Sequence, residues 1–121
     1  PPFGASMVLV MAVHESPLAH PKNVLFGHII SAFSGVFIFA IFGFSSLSVG
    51  AGVGLAIFLM MATKTVHPPA GANPIIAILG AKGASFIVIP VAAGALFIVL
   101  FAIIYNKLLN RKYFTFKDLK H

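Results

Sequence analysis

Apolar residues recur along this chain in long, uninterrupted runs. No Asp, Glu, Lys or Arg occurs from residue 23 to residue 63, a stretch long enough for two helices of about 20 residues, the length that crosses a bilayer. A further apolar run follows near the C-terminus. The pattern predicts three long membrane helices, at about residues 23–44, 50–65 and 84–109.

Two apolar runs are too short to cross a bilayer as helices, at residues 7–13 and 74–79. A polar, proline-containing segment follows the first run, and a turn with Lys82 follows the second. The predicted fold is therefore an all-α polytopic membrane protein with three long transmembrane helices and two short ones, half or re-entrant.

The strongest break in the apolar pattern is the segment HPPAGANP at residues 67–74. Pro68, Pro69 and Pro74 lack backbone N–H donors, so carbonyls on the preceding turn lose their partners. Such groups are tolerated at membrane depth only where protein or a water-filled cavity replaces those partners. Because transporters bind solutes at broken helices, the segment indicates a binding site.

A similar segment, PPFGAS, opens the chain at residues 1–6 and matches PPAGAN at residues 68–73 in four of six positions. Each copy precedes a short run and a long helix, which predicts an internal repeat of residues 1–49 and 50–109. The second copy also follows a long helix, so we expect a further helix upstream of Pro1. The sequence does not decide whether the short helices re-enter or complete a crossing.

Composition supports the membrane assignment, since 60% of residues are hydrophobic and 8% are charged, against about 45–50% and 25% in globular proteins. The net charge is +6, but five of the eight basic residues lie between residues 107 and 120. That cluster fits the positive-inside rule and predicts a cytoplasmic tail at residues 110–121 after one transmembrane domain, residues 1–109. The predicted partner is the lipid bilayer, and no nucleic acid is expected. Cysteine is absent, which excludes disulfides and thiolate metal sites.

Asn73 is a plausible N-cap and Pro74 a plausible first residue of the short helix after the break. Helix N-termini carry partial positive charge, which suits a small anion. Ser6 holds the equivalent place before residues 7–13. The alternative is that both caps only satisfy their own helices.

Lys64 and His67 flank the break, and a charge at the centre of a membrane helix costs about 2.5–3.5 kcal/mol. Lys64 could instead extend to the interface, and His67 could bond a freed carbonyl. His28 lies inside the first long helix and suits either a proton relay or a bond between helices. The candidate substrate-binding residues are Gly4, Ala5, Ser6, His28, Lys64, His67, Gly71, Ala72 and Asn73, and the break-forming prolines are Pro1, Pro2, Pro68, Pro69 and Pro74.

Small residues form stripes on two predicted helices, with Gly27, Ser31 and Gly35 on one and Gly50 and Gly54 on the next. Their spacing predicts close helix packing.

Enzymatic chemistry is not expected. The histidines are not spaced three or four residues apart, so no single helix offers a paired metal face, and only one carboxylate, Glu15, precedes Asp118. We therefore expect no catalytic residue, metal or cofactor.

Several motifs together resemble the HPP family of integral membrane proteins, which is called after the His-Pro-Pro motif. They are FGAS at residues 3–6, ESPLA at 15–19, PKN at 21–23, Gly27-His28 with Ser31 and Gly35, and HPPAGA at 67–72. The resemblance covers nearly the whole chain. It implies four membrane helices, which fits three predicted here and one upstream, and a transporter-like protein, since some members are implicated in nitrite transport in cyanobacteria and plastids.

The broken helices and this resemblance together predict a membrane transport protein for a small anion, with its site at the proline-broken helices; nitrite as the anion is what the resemblance implies. The alternative is a membrane scaffold or assembly subunit. Three long helices are too few to enclose a pathway, so a homo-oligomer, a dimer or trimer, is expected. The expected location is a bacterial inner membrane or a plastid-type membrane.

Overall fold

In a computed structural model, which describes residues 2–111 and 113, the chain folds into five α-helices and no strand is found among those residues. The predicted all-α class is confirmed. The helices are α1 (Pro2–Ala12), α2 (Pro21–Phe42), α3 (Ser46–Ala62), α4 (Asn73–Leu79) and α5 (Ala93–Leu108). Short 3₁₀ segments occur at Pro17–Ala19 and Pro68–Ala72, and a π-helical segment, Ile87–Ala92, leads into α5.

Two helical segments in the described part of the chain are long and apolar enough to span a membrane, Pro21–Phe42 and Ile87–Leu108, with 22 residues each. The third predicted long helix, α3, has 17 residues, which is the lower limit for a crossing. Three long transmembrane helices are therefore not confirmed in full.

The predicted break at the start of the chain is wrong for the residues that are described. Pro2, Gly4, Ala5 and Ser6 lie inside α1, which runs without interruption to Ala12; Pro1 lies outside the described residues. Proline is tolerated in the first turn of a helix because its missing N–H would have no intrahelical acceptor there. The described residues of the first copy are thus α-helical, whereas the second copy is 3₁₀ over Pro68–Ala72. The predicted repeat is not confirmed.

Close contacts on α2 confirm the predicted packing role of Gly27 and Gly35, and Ser31 between them is fully buried. A Cβ at Gly27 would lie 2.8 Å from the Thr65 oxygen, and one at Gly35 would lie 2.6 Å from the Pro74 Cα. The glycine stripe predicted on α3 is wrong, since Gly50 and Gly54 have nothing within 4 Å of a built Cβ. The close approach on α3 is instead at Gly52, which faces a different side of the helix from Gly50 and Gly54. A Cβ at Gly52 would meet the Ile78 side chain at 2.9 Å.

Side-chain hydrogen bonds define one end of the bundle, here called the C-terminal end, where α1, α3 and α5 finish and α2 begins. The Asn23 amide donates to the Val66 carbonyl at 2.7 Å. The Asn106 amide donates to the Val10 carbonyl at 3.1 Å, and the Tyr113 hydroxyl donates to the Ala19 carbonyl at 2.6 Å. The loop between α2 and α3 lies at the opposite end.

The break and α4 run along α2 in the direction of α2. Val66 lies beside Asn23 at the start of α2, His67 lies against Gly27, and Pro74 lies against Gly35 two turns further on. The chain then turns at residues 80–83 and returns through α5. The short helix therefore continues from the C-terminal end towards the opposite end and does not turn back at the break.

The predicted third helix, residues 84–109, is wrong as an uninterrupted element. Ile89 has non-helical backbone angles, φ −131° and ψ 121°, and the Ile89–Pro90 peptide bond is cis. Pro90 offers no N–H to the helical ladder, so regular α-helix begins only at Ala93. Phe86 and Val91 on either side of the kink pack with Ala32 and Ala77.

Three helices end in the same way, with a residue other than glycine in the left-handed region. Lys64, Ala81 and Asn110 have φ values of 57°, 50° and 56° after α3, α4 and α5. At the end of α3, the N–H of Thr65 donates to the Met60 carbonyl and the N–H of Lys64 to the Met61 carbonyl. These paired bonds are those of the Schellman motif, in which the left-handed position is usually glycine.

Candidate functional site

Four buried polar side chains meet where α1, α2, the break and α4 come together: Ser6, His28, His67 and Asn73, here called the polar cluster. The Ser6 Oγ lies 2.8 Å from the His28 Nε2 and 2.7 Å from the His67 Nε2. On its other side, the His28 Nδ1 lies 2.8 Å from the Asn73 Nδ2. One hydroxyl therefore joins two imidazoles that come from positions 39 residues apart in the sequence.

The backbone fixes the direction of these hydrogen bonds. His67 Nδ1 lies 2.7 Å from the Leu18 carbonyl oxygen, which only accepts, so Nδ1 carries the proton and Nε2 of the neutral ring accepts from Ser6. The Ser6 oxygen is then free to accept from His28 Nε2. His28 Nδ1 is left as the acceptor for Asn73, and the chain of donors runs from Asn73 through His28 and Ser6 to His67.

Ser31 completes the surroundings of Asn73. The Asn73 Nδ2 also donates to the Ser31 Oγ at 3.0 Å, and the Ser31 hydroxyl donates to the His28 carbonyl one turn back at 3.0 Å. Ser31 therefore has two roles, since its small side chain admits the break beside α2 and its hydroxyl binds the amide of Asn73.

The polar cluster is sealed from solvent. Ser6, His28 and His67 are fully buried and Asn73 is 2% exposed. The ring of Phe3 lies 5.1 Å from the ring of His28, and the two imidazole centroids are 5.0 Å apart. A buried polar group without a partner costs about 1–3 kcal/mol, and the directed hydrogen bonds explain how four such groups share this site.

The predicted capping role of Asn73 is wrong. Ala72 occupies the N-cap of α4, there is no side-chain capping bond, and Asn73 is the first residue of the helix. Because the 3₁₀ segment runs directly into α4, the first amides of α4 follow a preceding turn of helix. Asn73 is thereby free to point its amide at α2.

Other predicted site residues lie outside the polar cluster. Gly4, Ala5 and Lys64 are exposed, and Gly71 and Ala72 are half-buried in the 3₁₀ segment. Pro68 is exposed and Pro69 half-buried, whereas Pro74 is buried against Gly35. Pro1 lies outside the described residues.

Sequence reasoning missed the carbonyl of Leu18 and the side chain of Asn23, both of which bind the segment around His67. A backbone acceptor leaves no signal in a sequence. Asn23 does leave a signal in the sequence, because an amide at the start of an apolar helix needs a polar partner.

Chemically, the cluster is suited to moving or sharing protons. A serine next to an imidazole also occurs in hydrolases, but there a carboxylate orients the ring and the serine faces substrate. Here a carbonyl orients His67, and Ser6 is fully buried. Within the described residues, no three His, Cys, Asp or Glu side chains are grouped in a way that could hold a metal ion.

A known family profile matches nearly the whole chain. The profile described as HPP, transmembrane region, matches residues 1–114. The chain belongs to the HPP family. The resemblance predicted from the His-Pro-Pro motif and its companions is thus confirmed, and the polar cluster contains the histidine of that motif.

Two curated relatives of this HPP chain are transmembrane proteins of Dictyostelium discoideum. One is 34% identical over 118 residues, which cover 91% of this chain and 41% of the relative. The other is 38% identical over 118 residues, covering 91% of this chain and 38% of the relative. The chain therefore spans about two fifths of the length of these curated relatives. No solved structure matches it.

Proposed function

We propose that this HPP protein transports a small anion such as nitrite across a membrane, and that the anion passes the polar cluster. The single observation that carries the proposal is the convergence of Ser6, His28, His67 and Asn73 in a fully buried position. Polar and ionisable side chains inside a membrane protein are costly and are found mainly along solute and proton pathways.

The placement of the cluster supports the proposal. It lies beside the broken element, part of the way along α2, because Asn73 reaches His28 while Pro74 lies against Gly35. In transporters, solutes bind near the middle of the membrane beside discontinuous helices. The hydroxyl, imidazole and amide groups of the cluster can each donate a hydrogen bond to an oxyanion.

The distribution of basic residues supports a cytoplasmic position for the C-terminus. Four basic residues lie at the C-terminal end: Lys22, Lys64, Lys107 and Arg111. Lys82 follows α4 towards the opposite end. Positive residues accumulate on the cytoplasmic side of membrane proteins. We assign the C-terminal end to that side on this ground.

A homo-oligomer, a dimer or trimer, belongs to the same proposal. Large apolar side chains are exposed on several helices, with Phe58 and Met61 on α3 and Phe97 on α5 among them. Lipid and a second copy of the chain would both cover such faces. Size measurement of the full-length protein in mild detergent separates these two cases.

A scaffold without transport activity is the second candidate, and one specific observation favours it. The cluster binds itself: each imidazole nitrogen already has a partner in Ser6, Asn73 or the Leu18 carbonyl. A network of this kind would brace the break against α1 and α2 with no solute involved.

The test is nitrite uptake into proteoliposomes that hold the full-length parent protein, with nitrate, formate and chloride as competitors. Saturable uptake that is lost in a folded His67→Ala variant supports anion transport at the cluster. Absence of flux for every anion, with the protein folded, contradicts transport and favours the scaffold.

A further inference from the structure

Ser6 has one proton and two acceptors for it. Its Oγ lies 2.7 Å from the His67 Nε2 and 3.1 Å from the Pro2 carbonyl oxygen. When His67 is neutral, the Ser6 hydroxyl donates to Nε2. When Nε2 carries a proton, that N–H donates to Ser6, and the hydroxyl turns to Pro2. The same atomic positions therefore satisfy both protonation states of His67.

The geometry also allows a balanced proton transfer between the two rings. If His28 holds an extra proton, its Nδ1–H is accepted by the side-chain oxygen of Asn73 once that amide has turned over. His28 Nε2 then gives its proton to the Ser6 oxygen while Ser6 gives its own to His67 Nε2. One N–H bond breaks at His28 and one forms at His67, one O–H bond breaks and one forms on Ser6, and the positive charge moves from one ring to the other.

The titratable groups on the surrounding elements single out these two rings. Helices α1, α3 and α4 carry no titratable side chain. The connection between α1 and α2 and the start of α2 carry three half-buried titratable residues, His14, His20 and Lys22. Glu15 in that connection is exposed and pairs with His14 at 3.7 Å. Lys64, Lys82 and Lys107 are exposed, and Arg111 and Tyr105 are half-buried around the end of α5. Among the described residues, His28 and His67 alone combine a titratable side chain with complete burial.

We infer that the Ser6 hydroxyl relays a proton between His28 and His67, and that this proton enters with the transported anion, one for one. The inference rests on the proposed function, since an anion at the cluster needs a positive charge nearby in an apolar surrounding. An imidazolium formed on either ring supplies that charge, and the relay lets the proton change rings as the anion moves past.

The experiment measures nitrite and proton entry together in proteoliposomes of the full-length parent protein. Potassium with valinomycin sets the membrane potential, a dye inside reports pH, and protein-free liposomes give the passive entry of nitrous acid for subtraction. We expect one proton per nitrite and no change in rate when the potential is altered. Voltage-driven uptake without acidification overturns the relay but leaves anion transport standing. Absence of any uptake by the folded protein overturns both.

Two variants and one solvent test the role of Ser6 itself. In Ser6→Ala, net proton-coupled uptake should fall at least about tenfold. Ser34→Ala is the matched control, because within the described part of the chain the Ser34 hydroxyl bonds only the Ile30 carbonyl of its own helix. Unchanged proton stoichiometry and net rate in Ser6→Ala overturn the relay. In the unmodified protein, heavy water should slow net uptake more than it slows the exchange of labelled nitrite across the membrane. Equal slowing of the two contradicts the relay even if Ser6→Ala does not fold.

Discussion

At the scale of single residues, Ser6 holds the polar cluster together, because among the described residues its hydroxyl is the one group that hydrogen-bonds both imidazoles. Its place inside α1 is compatible with that role, since the Pro2 carbonyl four residues back can accept the hydroxyl proton when His67 does not. The His-Pro-Pro motif supplies His67 directly before the 3₁₀ segment begins, and the Leu18 carbonyl sets the orientation of its ring.

The first prediction concerns the stability of this arrangement. Ser6→Ala should lower the free energy of unfolding by about 1–2 kcal/mol, because both Nε2 atoms lose their buried partner. Thermal unfolding of the full-length protein in detergent measures the effect. Ser34→Ala removes a hydroxyl bonded only within α2 and should have a smaller effect. Equal loss in the two variants would contradict the central position of Ser6.

The members of the polar cluster can be predicted from the sequence, but their contacts cannot. Ser6, His28, His67 and Asn73 were all predicted as candidates, because polar residues in apolar segments and beside prolines are conspicuous. That these side chains meet could not be predicted from the sequence. The break that the sequence predicts near the start of the chain places Ser6 at a helix N-cap, and the pattern around Pro74 places Asn73 at a second N-cap. Only the packing of α1 and α4 on α2 turns both side chains towards His28.

At the scale of elements, α2 is the support on which the break and α4 rest, and its small residues decide how closely they approach. Gly35→Ala should destabilise the protein by about 1–3 kcal/mol, because its Cβ would lie 2.6 Å from the Pro74 backbone. Gly54→Ala is the matched control on α3, where nothing lies within 4 Å, and it should be neutral or mildly stabilising. Unfolding transitions of the two variants decide between these outcomes, and a neutral Gly35→Ala would refute the close contact.

The helix ends give a prediction of the opposite sign. Lys64→Gly should stabilise the protein by about 1 kcal/mol, since the left-handed conformation at φ 57° is unfavourable for lysine and not for glycine. The variant should also keep its nitrite uptake, because Lys64 is exposed and outside the polar cluster. Unfolding and uptake assays on the same preparation check both statements. Lost uptake in a stable variant would return Lys64 to the binding site.

At the scale of the whole molecule, the path of the break sets the topology. The segment from Val66 to α4 follows α2 towards the opposite end, so Lys82 should lie on the other side of the membrane from Lys64 and Asn110. The sequence contains no cysteine, so single Lys64→Cys, Lys82→Cys and Asn110→Cys variants of this region can be labelled cleanly.

In sealed vesicles of known orientation, an impermeant thiol reagent should label Lys64→Cys and Asn110→Cys from one side and Lys82→Cys from the other. The full-length parent needs its other cysteines, if any, replaced first. Labelling of all three from the same side would mean that α4 turns back. Labelling of Lys64→Cys and Asn110→Cys from the outer side would contradict the cytoplasmic assignment of the C-terminal end.

The central claim is that the anion passes the polar cluster, and one measurement tests it most directly. Net nitrite uptake is compared in proteoliposomes for the parent protein, for His28→Ala, His67→Ala and Asn73→Ala, and for the Ser34→Ala control, each normalised to folded protein. The account predicts a loss of at least about tenfold in every cluster variant and parental uptake in the control. Parental uptake in folded cluster variants would contradict it and leave the cluster as a brace for the broken helix.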